Sequence, residues 1–179
     1  EKISQVNNVS RHIKDQCYTL DAIENKLSKI DSVKPYPFRA NILFSGVAVS
    51  FLCLAYGGNI VDFIISFIIG CLINLISTGL NSLQTNEFFI NIICGATATL
   101  VALMCTKLHI ASHTNTIIIS SIMLLVPGLA ITNAIRDTIS GDLISGISRG
   151  LEAFLVAVAI AAGTGVILRL WIILGGFKL

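Results

Sequence analysis

The chain has 179 residues, 54% of them hydrophobic, and its charged residues make up 12%, about half the ~25% usual in soluble domains. Twelve of the 22 charges lie in residues 1–39, leaving ten for residues 40–179, too few to cover a surface facing water. A soluble globule is excluded, and a net charge of +2 with no Lys/Arg tract excludes nucleic acid as a partner.

Residues 1–39 form the polar segment. Ile3, Val6, Ile13, Cys17 and Leu20 recur at helical intervals, as do Leu20, Ile23, Leu27 and Ile30, which predicts two short amphipathic helices. Asp21 and Glu24 have the spacing of a capping box, and Lys34-Pro35-Tyr36-Pro37 ends the second helix. The expectation is a short cytoplasmic helical hairpin, either a solvated tail or an element that regulates or funnels substrate. No basic and apolar leader precedes it, so the first span is expected to act as the insertion signal.

Beyond Arg39 the uncharged gaps define the spans. They hold 22 residues before Asp62, 24 before Glu87, 19 before Lys107 and 28 before Arg136, and a membrane helix needs ~20. Helices are predicted over 40–57, 60–80, 88–106, 116–135 and 147–171. The fold class is therefore all-α, a polytopic membrane protein with five transmembrane helices over 40–179. Gly57-Gly58-Asn59 is short enough to require a tight antiparallel hairpin between the first two, and 107–115 is expected to be an ordinary solvated connection. Lys29, Lys34, Arg39, Arg136 and Arg149 fall on one side and Lys107, Arg169 and Lys178 on the other, which favours a cytoplasmic N-terminus and an outside C-terminus.

Polar residues inside the spans are the candidate functional groups. Asp62, Ser66, Gly70, Asn74, Ser77 and Asn81 lie along one face of the second helix. That stripe either lines a wet cavity, with Asp62 and Asn74 as gate residues, or supplies hydrogen bonds between helices. Small residues four apart (Gly46/Ser50, Ser66/Gly70, Gly95/Thr99, Gly146/Gly150, Ala157/Ala161) predict close helix packing. Pro127 and Gly128 fall near the middle of the fourth span and predict a kink or break. A half-helix starting there would aim unpaired N–H groups at the bilayer centre, suited to a carboxylate, or else the proline makes a static kink. After it come Asn133, Arg136, Asp137, Asp142, Arg149 and Glu152, a tight cytoplasmic turn in which Asp137 or Asp142 would pair with Arg149.

Five cysteines without Cys-x-x-Cys spacing read as apolar fillers, and His109 with His113 lacks an adjoining acidic or thiol ligand, so no metal site and no cofactor are expected. Motifs of hydrolases, nucleotide-binding enzymes and metalloproteases are missing from the sequence, so an enzyme is not expected.

The run Pro127-Gly128-Leu129-Ala130-Ile131-Thr132-Asn133-Ala134-Ile135-Arg136-Asp137, followed by Gly141-Asp142, Ser145-Gly146, Arg149 and a small-residue last span, resembles the threonine/serine exporter family. Thr19-Leu20-Asp21-Ala22, Pro35-Tyr36-Pro37 and Gly57-Gly58 resemble it too. The resemblance implies export of small anionic or zwitterionic, carboxylate-bearing metabolites across a bacterial inner membrane. It also implies a second, smaller membrane subunit supplying the other half of the exporter, as in split pairs associated with dicarboxylate (succinate) export, and a longer N-terminal region in other members. On this reading Pro127 and Gly128 receive the carboxylate, Asn133 orients it, and Arg136, Asp137 and Arg149 form the inner gate. The contrasting expectation is a membrane scaffold that binds and stabilises a partner without transporting anything.

Overall fold

The computed structural model describes residues 6–7, 9–11, 20–31 and 37–175. The chain divides into two compact units, Glu1–Pro37 and Phe38–Leu179. In the first unit residues 6–7 and 9–11 are helical and α1 runs Leu20–Asp31, closing with Lys29 in the last turn, where a cation meets the negative end of the helix. The expected turn between the two helices, Cys17, the Asp21 side chain and the Lys34-Pro35-Tyr36 stop lie outside the described residues.

Six helices make up the second unit: α2 (Phe38–Ala55), α3 (Ile60–Ser82), α4 (Glu87–Lys107), α5 (Thr114–Met123), α6 (Gly128–Ile139) and α7 (Leu143–Ile173). α2, α3, α4 and α7 are each long and apolar enough to cross a membrane, and α5 with α6 makes a further pair bent by 56°. No strand occurs among the described residues. The all-α class and the placement of the spans agree with the uncharged gaps. The fourth span is two short helices, and the last starts at Leu143, four residues earlier than residue 147.

Whether α5 and α6 cross or fold back is decided by α4 and α7. A Cβ on Gly95 would lie 3.1 Å from the Ile160 carbonyl oxygen, one on Gly163 would lie 3.1 Å from the Ala96 nitrogen, and the Lys107 ammonium sits 5.5 Å from the centroid of the Trp171 ring. Residue numbers rise together along both helices, so α4 and α7 run parallel. The chain between them must return to the opposite face, which makes the bent pair the fifth crossing. At ~1.5 Å per residue, α7 extends about 15 Å beyond the level of Glu87, and α6 packs along that overhang.

The helices meet where small residues let backbones approach. Gly70 lies against Gly46 and the Ser45 carbonyl oxygen, joining α3 to α2, and Asn74 donates to Ser45 Oγ across the same contact at 2.7 Å. Gly146 lies against Ala134 and Thr138, joining α7 to α6. Ala157 and Ala161, expected at a contact, are on the exposed side of α7, and its buried face is Ala153, Val156, Ala159, Ile160 and Gly163. The core is built from Cys53, Ile65, Ile69, Ile73, Ile90, Cys94, Ala98, Ala102, Ile117 and Ile118 of α2 to α5. Cys53 and Cys94 are wholly buried there as thiols, in keeping with their reading as fillers.

The α2 end shows why the first hairpin is so tight. Gly57 takes φ +85°, Gly57 N donates to Leu54 O at 3.0 Å and Gly58 N to Cys53 O at 2.9 Å, a Schellman ending. A side chain on Gly58 would strike Cys53 Sγ at 2.5 Å. Asn59 then starts α3 directly, its amide donating to Asp62 Oδ2 at 3.1 Å.

Candidate functional site

Polar groups collect at both ends of the broken span. The first group centres on Asp62, which has no exposed surface. Its Oδ1 accepts from the Ser112 and His113 amides at 3.0 and 3.4 Å, and its Oδ2 accepts from the Asn59 amide at 3.1 Å and faces His113 Nδ1 at 2.8 Å. One carboxylate thus occupies the N-terminal ends of α3 and α5, where unpaired amides and the helix dipole favour an anion. His113 is the residue that precedes α5.

The 107–115 connection is largely exposed, as expected of a solvated loop, but it is also tied to the bundle through Asp62. His109 sits at φ +55°, with its amide bonded to Thr106 O at 2.9 Å and the Ile110 amide to Cys105 O at 3.0 Å, so it closes α4 by a Schellman ending in a position usually given to glycine. His113 instead turns to Asp62. No group of three His, Cys, Asp or Glu side chains suited to a metal occurs among the described residues.

The break itself spans residues 124–127. Leu125 N bonds Ile122 O at 2.8 Å, Gly128 N bonds Val126 O at 2.8 Å, and Ile131 N to Pro127 O at 3.1 Å is the first bond of α6. The Leu129 and Ala130 amides meet no acceptor among the described residues. Proline has no amide hydrogen and its ring blocks the preceding turn, so α5 cannot continue through position 127. Ten residues of α5 extend ~15 Å, half of a ~30 Å hydrocarbon core.

The second polar group lies where α6 meets the overhang of α7. Asp137, 18% exposed, is approached by Arg149 Nε at 3.2 Å and by Arg136 Nε at 3.6 Å. Of the two candidate partners for Arg149, Asp137 is the one in contact. Gly141 at φ +89° turns the chain, with Asp142 N bonded to Asp137 O at 3.0 Å. Asp142 then caps α7, its Oδ2 accepting from Ser145 Oγ at 2.8 Å and its Oδ1 from Ser145 N at 3.2 Å.

The Ser145 hydroxyl and amide, with Arg149 nearby, hold the Asp142 carboxyl below its ordinary 3.8. A depressed folded value means that the cap stabilises the fold fully above 3.8 and loses that contribution as pH falls through the folded value. Asp142→Ala is therefore expected to lower the thermal unfolding midpoint at neutral pH, with the midpoints of variant and native protein converging in acid. A pH series of melting curves checks this.

The remaining predicted residues fall as follows. Asn133 is half-buried on α6, one turn from Asp137, and its side chain has no partner among the described residues. Asn74 joins α3 to α2, its Oδ1 buried without a partner. Of the α3 stripe, Asp62, Ser66 and Gly70 are buried, Ser77 is half-buried and Asn81 is exposed. Pro127 and Arg136 are nine residues apart, ~13 Å along α6. Asp62–His113 and Asp137–Arg149 lie at opposite ends of the bundle, since α4 ends beside the end of α7 and α6 lies beside its start.

These features define a multi-pass helical membrane protein whose fourth span is broken and tied at each end by a carboxylate. The family model ThrE, described as "Putative threonine/serine exporter", matches residues 1–171, and the chain belongs to that family. No curated protein and no solved structure matches the chain.

Proposed function

We propose that this chain is a subunit of an exporter that carries threonine- or serine-type amino acids across a bacterial inner membrane, with α5–α6 as the element that receives the solute. The observation that carries the reading is the break at 124–127 in a member of an exporter family, with the Leu129 and Ala130 amides left without acceptors. A helix start of this kind favours a carboxylate. Pro127 and Gly128 set up that start, and beyond its own turn of chain no atom of the described residues lies within 4 Å of a Cβ placed on Gly128, so a solute can come close to the backbone there. Asn133 orients the solute one turn further on. Arg136, Asp137 and Arg149 then act as the inner gate. Asp142 fixes the start of α7 beneath them, and Asp62 and Asn74 hold α3.

A second, smaller membrane subunit supplies the other half of the path in this reading, with the N-terminus cytoplasmic and the C-terminus outside. A succinate-type dicarboxylate satisfies the same half-helix and arginines, so the substrate is settled by assay. The chain and its partner subunit, reconstituted in vesicles, are expected to release labelled threonine or serine saturably. Arg149→Ala should reduce that release about tenfold, the loss of one charge-assisted contact, and Pro127→Ala should reduce it as well by letting the helix close over the break. Release of succinate but not of the amino acids would overturn the substrate assignment. Unchanged release in both variants would overturn the site.

A further inference from the structure

We propose that Asp62 and His113 form a proton-binding site that governs how firmly the start of α5 is held. Its effect on transport rests on the export reading above, but the site itself does not. Asp62 accepts from three backbone amides and faces His113 Nδ1 at 2.8 Å. A carboxylate so surrounded by donors is an acceptor only, so Nδ1 carries the hydrogen of that contact and Nε2 is the nitrogen left to gain or lose a proton. The His113 side chain is 48% exposed while Asp62 is wholly buried, so solvent reaches the ring but not the carboxylate.

A hydronium ion gives its proton to Nε2, and the same N–H bond breaks when the proton returns to water. The pair passes from net negative to neutral, and Nδ1–H···Oδ2 changes from a neutral donor on a carboxylate to an ion pair. The anion shared between the ends of α3 and α5 is then held by a cation from the residue that starts α5. Thr114 Oγ1 and Thr106 Oγ1, 2.6 Å apart, are the neighbouring tie of α5 to α4. Other titratable groups on the elements meeting there are Cys53 and Tyr56 near the end of α2, Cys105 and Lys107 at the end of α4, His109 in the same loop and Arg169 near the end of α7. None of them supplies a bond to Asp62, and Lys107 lies over the Trp171 ring.

The test is amide hydrogen exchange at Ser112 and His113 in the full chain, corrected for the intrinsic pH dependence of exchange. Native protein should gain about tenfold protection between about pH 8 and pH 5.5, across which imidazole changes charge. His113→Gln keeps an N–H donor without a titrating nitrogen and should show the same protection at both pH values. Asp62→Asn should lose the pH response as well. A flat native profile, or an equal slope in His113→Gln, would overturn the proposal. In vesicles with pH varied on one side at a time, threonine release should depend on the pH of the face bearing α5's start, and His113→Gln should remove that dependence. A native protein that moves neither threonine nor serine would sink the export reading, while the exchange result still decides the site.

Discussion

Gly163→Ala is expected to destabilise the protein by ~3 kcal/mol, the upper part of the usual overpacking range, although alanine is the better helix former by ~1 kcal/mol. A methyl there would overlap the Ile92 carbonyl oxygen and lie 2.9 Å from the Ile92 carbonyl carbon and 3.1 Å from the Ala96 nitrogen. All three atoms are backbone of α4, so no side chain can turn aside, and the two spans must separate. Gly165, two residues on, has open space around its missing side chain, so Gly165→Ala should be neutral or stabilising. Cys53 and Cys94 are wholly buried, and a thiol-reactive dye added during heating reads their exposure on unfolding. Equal midpoints for the two alanine variants would refute the close α4–α7 crossing.

Asp62→Ala is expected to cost ~3 kcal/mol, because each buried donor left without an acceptor costs ~1–3 kcal/mol. It strips the acceptor from the Asn59, Ser112 and His113 amides and from the imidazole together. His113→Ala removes only the half-exposed partner and leaves the carboxylate its three amides, so its loss should be much smaller. Asp62→Asn should fall between them, because one oxygen still accepts. The same thermal assay ranks the three. If Asp62→Ala were no worse than His113→Ala, the carboxylate would not be what ties α5 to α3.

The two variants probe different kinds of information. Asp62 stands three residues after Asn59, and a lone carboxylate at the start of an apolar helix has to find donors. That much is local. Its partner is 51 residues away in the chain, and no periodicity or spacing connects the two positions, so His113 read as a loop residue. The signal that existed was the demand of Asp62 for donors together with a histidine just before a helix start. Likewise the pairing of Arg149 could be narrowed to Asp137 or Asp142 but no further. The outcome turns on Ser145, which engages Asp142 as a helix cap and leaves Asp137 to the arginines.

What the residues determine unaided is whatever depends on one helix at a time. Uncharged runs long enough to cross hydrocarbon set the number and place of the spans, and Pro127 must interrupt its helix because its ring and missing hydrogen act within a single turn. What only the tertiary structure decided is the rotation of each span about its axis and the partner on each side. Helix α7 is apolar around most of its circumference, so hydrophobicity carries no phase, and Ala157/Ala161 had as strong a claim to the contact as Gly163. The buried side was chosen by which backbone atoms could approach Ile92 and Ala96, a constraint written in two helices at once.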